Sequence, residues 1–249
     1  RGKRFSWWQE ILSACRADEG DALSRWQKHS DEIKTHVDIL NGYNFKTLRY
    51  KNSAGTDVTV DLPEGHYWEG GSEKAGTGVI FSPNMPTEEV FTTPKKGEAE
   101  GIVVASMPLS YQGQLIENFS MEFKNGKVVS VKAEKNEALL QRMVEMDENA
   151  GYLGECALVP ERSPIAESGI LFYNTLFDEN AACHLALGMG YVDTIRDHHS
   201  KTLDECRQLG INDSMIHEDF MIGCDTMNID AICEDGKVVP VFRNGNWAF

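Results

Sequence analysis

The sequence predicts an α+β fold, a largely antiparallel sheet with flanking helices and with closure into a barrel as one option. Three observations lead there. Apolar residues recur at three-, four- and seven-residue steps before residue 42, and the period changes to two from Phe45 onward. Turn pairs such as Asn125-Gly126, Asp235-Gly236 and Asn244-Gly245 separate strand-like runs at hairpin spacing. Helices stand before and between those runs.

Residues 5–40 read as helical, with Leu23, Trp26, Ile33, Val37 and Leu40 on one stripe and Asn41-Gly42 as the stop. Phe45–Tyr50 and Thr56–Leu62 form a hairpin around Asn52–Gly55. The stretch 63–88 is rich in Gly, Pro and Glu and reads as loop, interrupted by a short strand at Gly78–Ser82. Strands follow at Gly101–Met107, Leu115–Phe123 and Val128–Ala133, with Leu115, Phe119, Met121 and Phe123 on one face. Glu134–Asn149 reads as a helix whose apolar side carries Ala138, Leu139, Met143 and Met146. Gly154–Val159 is a strand, Asp178–Tyr191 a helix, and Leu203–Leu209 a helix closed by Gly210. Strands at Phe220–Cys224, Met227–Ile232 and Val238–Phe242 end the chain.

Composition bounds the function. A chain of 249 residues is one large domain, or one domain plus a small appendage; residues 1–42 form an N-terminal helical segment and 43–249 the main domain. Hydrophobic and charged shares of 41% and 25% exclude wholesale disorder and collagen-like repetition. No apolar run reaches the roughly 18–20 residues of a membrane span, so a membrane partner is not expected. With 39 acidic and 24 basic side chains the formal charge is −15, which disfavours nucleic acid and favours divalent metals and ammonium groups. Six cysteines, at 15, 156, 183, 206, 224 and 233, include no CxxC pair and read as reduced thiols in a cytoplasmic compartment, most of them small buried residues. The chain opens Arg1-Gly2-Lys3-Arg4, without initiator methionine or signal-like stretch, as a piece of a longer protein would.

Metal chemistry needs carboxylates and imidazoles converging from rigid elements. In His217-Glu218-Asp219 an extended backbone turns His217 and Asp219 to one face and Glu218 to the other, so the pair could chelate a divalent ion. Taken alone the pair is weak, since a surface His and Asp look the same. On a helix over 178–191, His184, Gly188 and Tyr191 would share a stripe with room for a ligand beside Gly188, while Glu179 would reach the same site only from the helix entrance. A helix N-terminus above a core histidine is the plainer account of that segment. Glu89, in a loop running into a short extended segment, and Glu155, beside an apolar strand, are carboxylates costly to bury unless paired or metal-bound; exposed strand ends would also explain them.

The segments NMPTEEVFTTP, LGECALV, SPI, FYNTLFDENAACHLALGMGY and HEDFMIG, in this order, resemble the blocks of the thermophilic-metalloprotease family of metal-dependent aminopeptidases. The resemblance runs from about Asp21 to the C-terminus. It implies a cytosolic exopeptidase with two divalent ions, described with cobalt, zinc or magnesium, and manganese suits such ligands equally. It places the metal ligands on Glu89, Glu155, Glu179, His184, His217 and Asp219, and the catalytic tyrosine on Tyr191. It makes 43–249 a metallopeptidase catalytic domain acting on peptides with a free N-terminus, Glu155 being the shared, catalytically central carboxylate. The resemblance also implies a further upstream α/β domain in family members, expected to be absent here, and a usually homodimeric assembly whose sites face an enclosed interior. The segment Arg196–Ser200 departs from the family pattern, and His198 and His199 are left outside the site. The rival expectation is an inactive fragment, or a structural metal-binding module, built from the same residues.

Overall fold

The computed structural model describes residues 6–249, so the expected helix start at Phe5 lies outside the described residues. Two helices, α1 (Trp7–Ala14) and α2 (Ala22–Asn41), stand where one continuous stretch was expected. Between them Arg16 and Gly20 take left-handed conformations, φ 55° and 62°, and Asp21 caps α2 by accepting from the Ser24 N–H at 3.3 Å. His29, Ile33, Val37 and Leu40 face inward. No residue of α2 before His29 is buried, so Leu23, 85% exposed, falls off the expected stripe.

The hairpin reading holds for β1 (Phe45–Lys51) and β2 (Asp57–Asp61), which pair antiparallel with Tyr50 opposite Val58. The loop after them contains a small hairpin of β3 (Glu73–Lys74) and β4 (Ile80–Phe81), then β5 (Val90–Thr92). Next come β6 (Ala99–Val104), β7 (Leu109–Tyr111), β8 (Gln114–Lys124) and β9 (Lys127–Lys135). In β8 the core face carries Ile116, Phe119, Met121 and Phe123. Asn118, at φ 50°, shifts the alternation by one, which is why Ile116 and not Leu115 is buried. Helix α3 (Glu137–Val144) is shorter than expected, and Met146 beyond it is exposed.

Strand β10 (Leu153–Leu158) precedes two short helices, α4 (Pro164–Ser168) and α5 (Thr175–Asp178). A 3-10 turn, Glu179–Ala181, then leads into β11 (His184–Gly188). The helix expected over 178–191 is therefore a strand for most of its length. Every residue of β11 is buried, because the strand is central and covered on both faces. Such a strand shows no alternation, and its Leu-Ala-Leu run has helical propensity that tertiary packing overrides. Gly188 leaves room for backbone, not ligand: at φ 100°, a Cβ there would stand 2.1 Å from the Ile216 carbonyl oxygen. The chain ends with α6 (Leu203–Leu209), β12 (His217–Met221), β13 (Asn228–Cys233), β14 (Val238–Arg243) and β15 (Asn246–Trp247). Helix α6 lies where expected, between a Thr202–Glu205 capping box and Gly210.

A nine-stranded sheet has the order β15-β14-β13-β1-β2-β6-β8-β7, with β9 also beside β8, and a second sheet the order β12-β11-β10-β5. All pairings are antiparallel, and among the described residues neither sheet closes, so the barrel option is not realised. The main core lies between the sheets: Leu48, Tyr50 and Phe119 join one cluster with Cys156, Leu185 and Phe220. Cys156, Leu185 and Phe220 stand abreast across three strands of the small sheet. One face of that sheet is thereby given to the core. Its other face carries the polar side chains.

Candidate metal centre

The register decides which residues meet. Glu155, Ala186 and Asp219 lie abreast across β10, β11 and β12, one step from the core-facing row. His184 lies two residues before Ala186 and His217 two before Asp219, so both imidazoles point to that same face. Glu218 alternates to the other, as the H-x-D spacing predicts. Between the two carboxylates Ala186 offers only a methyl group, which keeps the middle of the row open. Glu89 arrives from the turn before β5, the strand next to β10, and Glu179 from the 3-10 turn before β11.

The distances are short. The His184 Nε2 lies 3.3 Å from Glu89 Oε2, and the His217 Nε2 lies 3.0 Å from Glu155 Oε2 and 3.4 Å from Asp219 Oδ1. Glu89, Glu155 and His184 form one group whose donor atoms lie within 4.8 Å of one another, and Glu155, His217 and Asp219 form a second. Glu155 belongs to both. Glu179 is buried and lines the same cavity of about 450 Å³, as do Glu89, Asp219 and Tyr191. Tyr191 follows β11 on a loop; its hydroxyl is 3.1 Å from His217 Nε2, and its ring packs edge-on against Phe91 at 5.6 Å. Six of the seven residues singled out in the sequence thus line one cavity, and the seventh, His184, stands behind Glu89 and Glu155 in the same cluster; Tyr191 reaches the cavity from a loop and not from a shared helical stripe with His184.

Both imidazoles are oriented from behind. The Nδ1 of His217 donates to the Met189 carbonyl at 2.7 Å, and that of His184 to the Ala182 carbonyl at 3.2 Å. Each Nε2 therefore faces the carboxylates, the arrangement that ligating histidines adopt when a carbonyl fixes their tautomer. Crowding of acids and imidazoles shifts titration within the cluster. His184 is raised to about 10 and His217 to about 11: burial opposes their charge, and the facing carboxylates outweigh it. Glu155 rises to about 7 and Glu179 to about 9, through burial first and then repulsion among the acids. Burial also pushes up the Tyr191 phenol, the surrounding carboxylates adding to it. Asp219 is lowered; burial works against its charge, but the two imidazoles prevail. Its buried Oδ1 faces the His217 Nε2 at 3.4 Å without hydrogen-bond geometry. Four acids, one of them with a buried oxygen that no hydrogen bond satisfies, and two imidazoles form a donor set that fits hard-to-borderline divalent cations.

The cavity is also lined by acids that no sequence pattern marks, Glu69, Glu73 and Asp193. Burial, then Asp193 and Glu73, push the Glu69 carboxyl up to about 7. The only sequence signal was an acid set between Trp68 and Gly70-Gly71, which by itself marks nothing.

An antiparallel sheet presenting two overlapping carboxylate–imidazole groups to one cavity defines a candidate divalent-metal protein. The chain belongs to the thermophilic metalloprotease (M29) family, whose model matches residues 4–247, beginning well before Asp21. It is 49% identical over 242 residues to aminopeptidase AmpS of Bacillus subtilis (strain 168), covering 97% of this chain and 59% of that protein. Identity to aminopeptidase 2 of Geobacillus stearothermophilus is 46% over 242 residues, covering 97% and 58%. The fold matches wild-type AmpT from Thermus thermophilus with a TM-score of 0.88 at 40% identity, covering 97% of this chain and 58% of that one. The chain spans less than two thirds of the length of each of these relatives.

Proposed function

We propose that this chain carries the catalytic site of a metal-dependent aminopeptidase, hydrolysing the first peptide bond of small peptides. One observation carries the reading: two donor groups share Glu155 and open, beside the Tyr191 hydroxyl, onto one acidic cavity. Glu89, Glu179 and His184 would hold one divalent ion, His217 and Asp219 a second, with Glu155 common to both. Ions so held supply Lewis acidity toward a carbonyl and activation of water. Zinc, cobalt, manganese and magnesium all suit these donors.

The chain's own groups do the rest. Carbonyls behind His184 and His217 keep both Nε2 atoms turned inward. The Tyr191 hydroxyl is placed to donate a hydrogen bond to an oxyanion forming at the cavity wall. Asp193, joined by Glu69 as its raised carboxyl ionises, adds negative charge that attracts the free α-ammonium of a peptide, which favours exopeptidase over endopeptidase cleavage. Residues 43–249 hold every one of these side chains, with 1–42 as a helical segment beside them. The whole protein is proposed to be a cytoplasmic homodimer; the six cysteines are free, and among the described residues no helix is long and apolar enough to cross a membrane.

Hydrolysis of aminoacyl-p-nitroanilides in the presence of cobalt or zinc tests the reading. Activity is expected on substrates with a free amine and not on N-acetylated ones, and Glu155→Ala should abolish it. Equal rates for wild type and Glu155→Ala, or equal rates on free and blocked substrates, would reject the assignment.

A further inference from the structure

We infer that Arg16 is a positioning residue for this centre, holding the two turns that carry Glu89 and Glu179 by its grip on the Glu88 carboxylate. The inference rests on the metal reading above. Arg16 lies in the break between α1 and α2, 72 positions from Glu88, and binds it two-fold: Nη1 to Oε1 at 2.5 Å and Nη2 to Oε2 at 2.9 Å. The side chain of Glu88 is 5% exposed, that of Arg16 19%. A carboxylate so deeply buried needs a fixed cation, and a planar guanidinium supplies one with a defined direction.

The grip is passed on by backbone. The Glu88 N–H donates to Asn180 Oδ1 at 2.7 Å, and Asn180 Nδ2 donates to the Leu176 carbonyl at 3.0 Å. Glu88 and Asn180 are the chain neighbours of Glu89 and Glu179. A single buried hydrogen bond therefore ties together the two segments that bring those carboxylates to the cavity. The turn is closed from other sides as well. His29 Nε2, on α2, donates to the Thr87 carbonyl at 2.7 Å, and behind the turn Gly70 has no room for a side chain, since a Cβ would stand 2.5 Å from the Glu89 carbonyl oxygen.

Glu88 itself does not line the cavity, and neither does Arg16. Their link to the site runs through the chain neighbours of Glu89 and Glu179. His217 and Asp219 sit on β12; the turn Glu179–Ala181 packs beside that strand, but none of these hydrogen bonds is made to it. This asymmetry separates positioning from general stability. Loosening the Arg16 grip should weaken the ion held by Glu89, Glu179 and His184, and spare the one held by His217 and Asp219.

The test is a cobalt titration of the metal-free protein, followed by visible absorption and calorimetry. The wild type is expected to take up cobalt in two steps. Arg16→Met should weaken one step by about 10- to 100-fold and leave the other within about threefold, the size usual for loss of a group that orients a ligand. The swap R16E/E88R, which restores the ion pair, should recover most of the loss. Arg25→Met, which breaks the exposed Arg25–Asp18 pair of the same segment, should change neither step. Should Arg16→Met not fold, Glu88→Gln is titrated in its place with the same expectation. Two unchanged steps, or equal weakening of both, would overturn the inference. A wild-type protein that takes up no cobalt would instead overturn the metal reading itself.

Discussion

The Nε2 of His217 lies 3.0 Å from the carboxylate of Glu155 and 3.1 Å from the hydroxyl of Tyr191, while its Nδ1 is spent on the Met189 carbonyl. One ring atom thus links a shared carboxylate to the phenol at the cavity wall. Glu155 comes from β10, His217 from β12 and Tyr191 from the loop after β11, so the contact exists only when the small sheet is in register. The site depends on strand alignment. A one-residue slip of β12 would turn His217 and Asp219 onto the core face.

Replacing Tyr191 by phenylalanine keeps the ring against Phe91 and removes only the hydroxyl. If that hydroxyl stabilises an oxyanion, kcat should fall by about 10²- to 10³-fold, the usual cost of one such donor. The cobalt titration should be nearly unchanged, because the phenol is not among the groups proposed to hold the ions. Steady-state kinetics on a leucyl-p-nitroanilide, run beside the titration, checks both halves.

Four clustered carboxylates in a buried site should make stability depend on divalent ions. Ligand at about 100 times its Kd stabilises by about 2.7 kcal/mol. For a chain of this size that corresponds to a rise in Tm of roughly 5–10 °C. Glu155→Ala removes the donor common to both groups and should remove most of the rise. Calorimetric melting with and without zinc, in wild type and variant, measures it; an unmoved Tm in the wild type would contradict the cluster.

The elements readable in the sequence were those with one wet face. In β1, β2 and most of β8 apolar and polar residues alternate, and their hairpin turns carry Gly or Asn. The same alternation placed His217 and Asp219 on one face of β12. What could not be read was β11, buried on both faces, where Leu185, Ala186 and Leu187 give no period and favour helix. The seven candidate site residues are legible all the same, because the resemblance rests on residue identity and not on period. Arg16 shows the limit of that route. Its role depends on a contact across 72 residues that no local pattern announces.

Gly188→Ala tests the fold beneath the site. The position combines φ 100° with a carbonyl oxygen 2.1 Å from where the methyl carbon would stand. Left-handed strain alone costs on the order of 1–3 kcal/mol, and the clash with Ile216 adds to it. Ile216 precedes His217, so relief of the clash displaces the imidazole. The urea midpoint should fall and cobalt uptake weaken together. A variant as stable as the wild type would show that β11 and β12 approach less closely than described.

His66 gives a pH dependence that is independent of the metal site. It is buried, its Nδ1 donates to the Pro63 carbonyl at 3.2 Å, and its ring stands edge-on to Trp68. Burial, with nearby Arg196 adding to it, lowers the imidazole to about 4 in the folded chain, against an ordinary value of 6.5. Between those two pH values the unfolded chain binds a proton that the folded chain refuses. Stability should therefore decline as pH falls from about 6.5 to about 4, by roughly 3 kcal/mol from this group. His66→Phe cannot take up that proton, so the difference between variant and wild type should shift in the variant's favour across this window. Urea titrations at half-unit pH steps, with the metal-free protein, read the difference directly. A constant difference between pH 4 and 7 would mean that the buried imidazole accepts its proton as readily as it does in the unfolded chain.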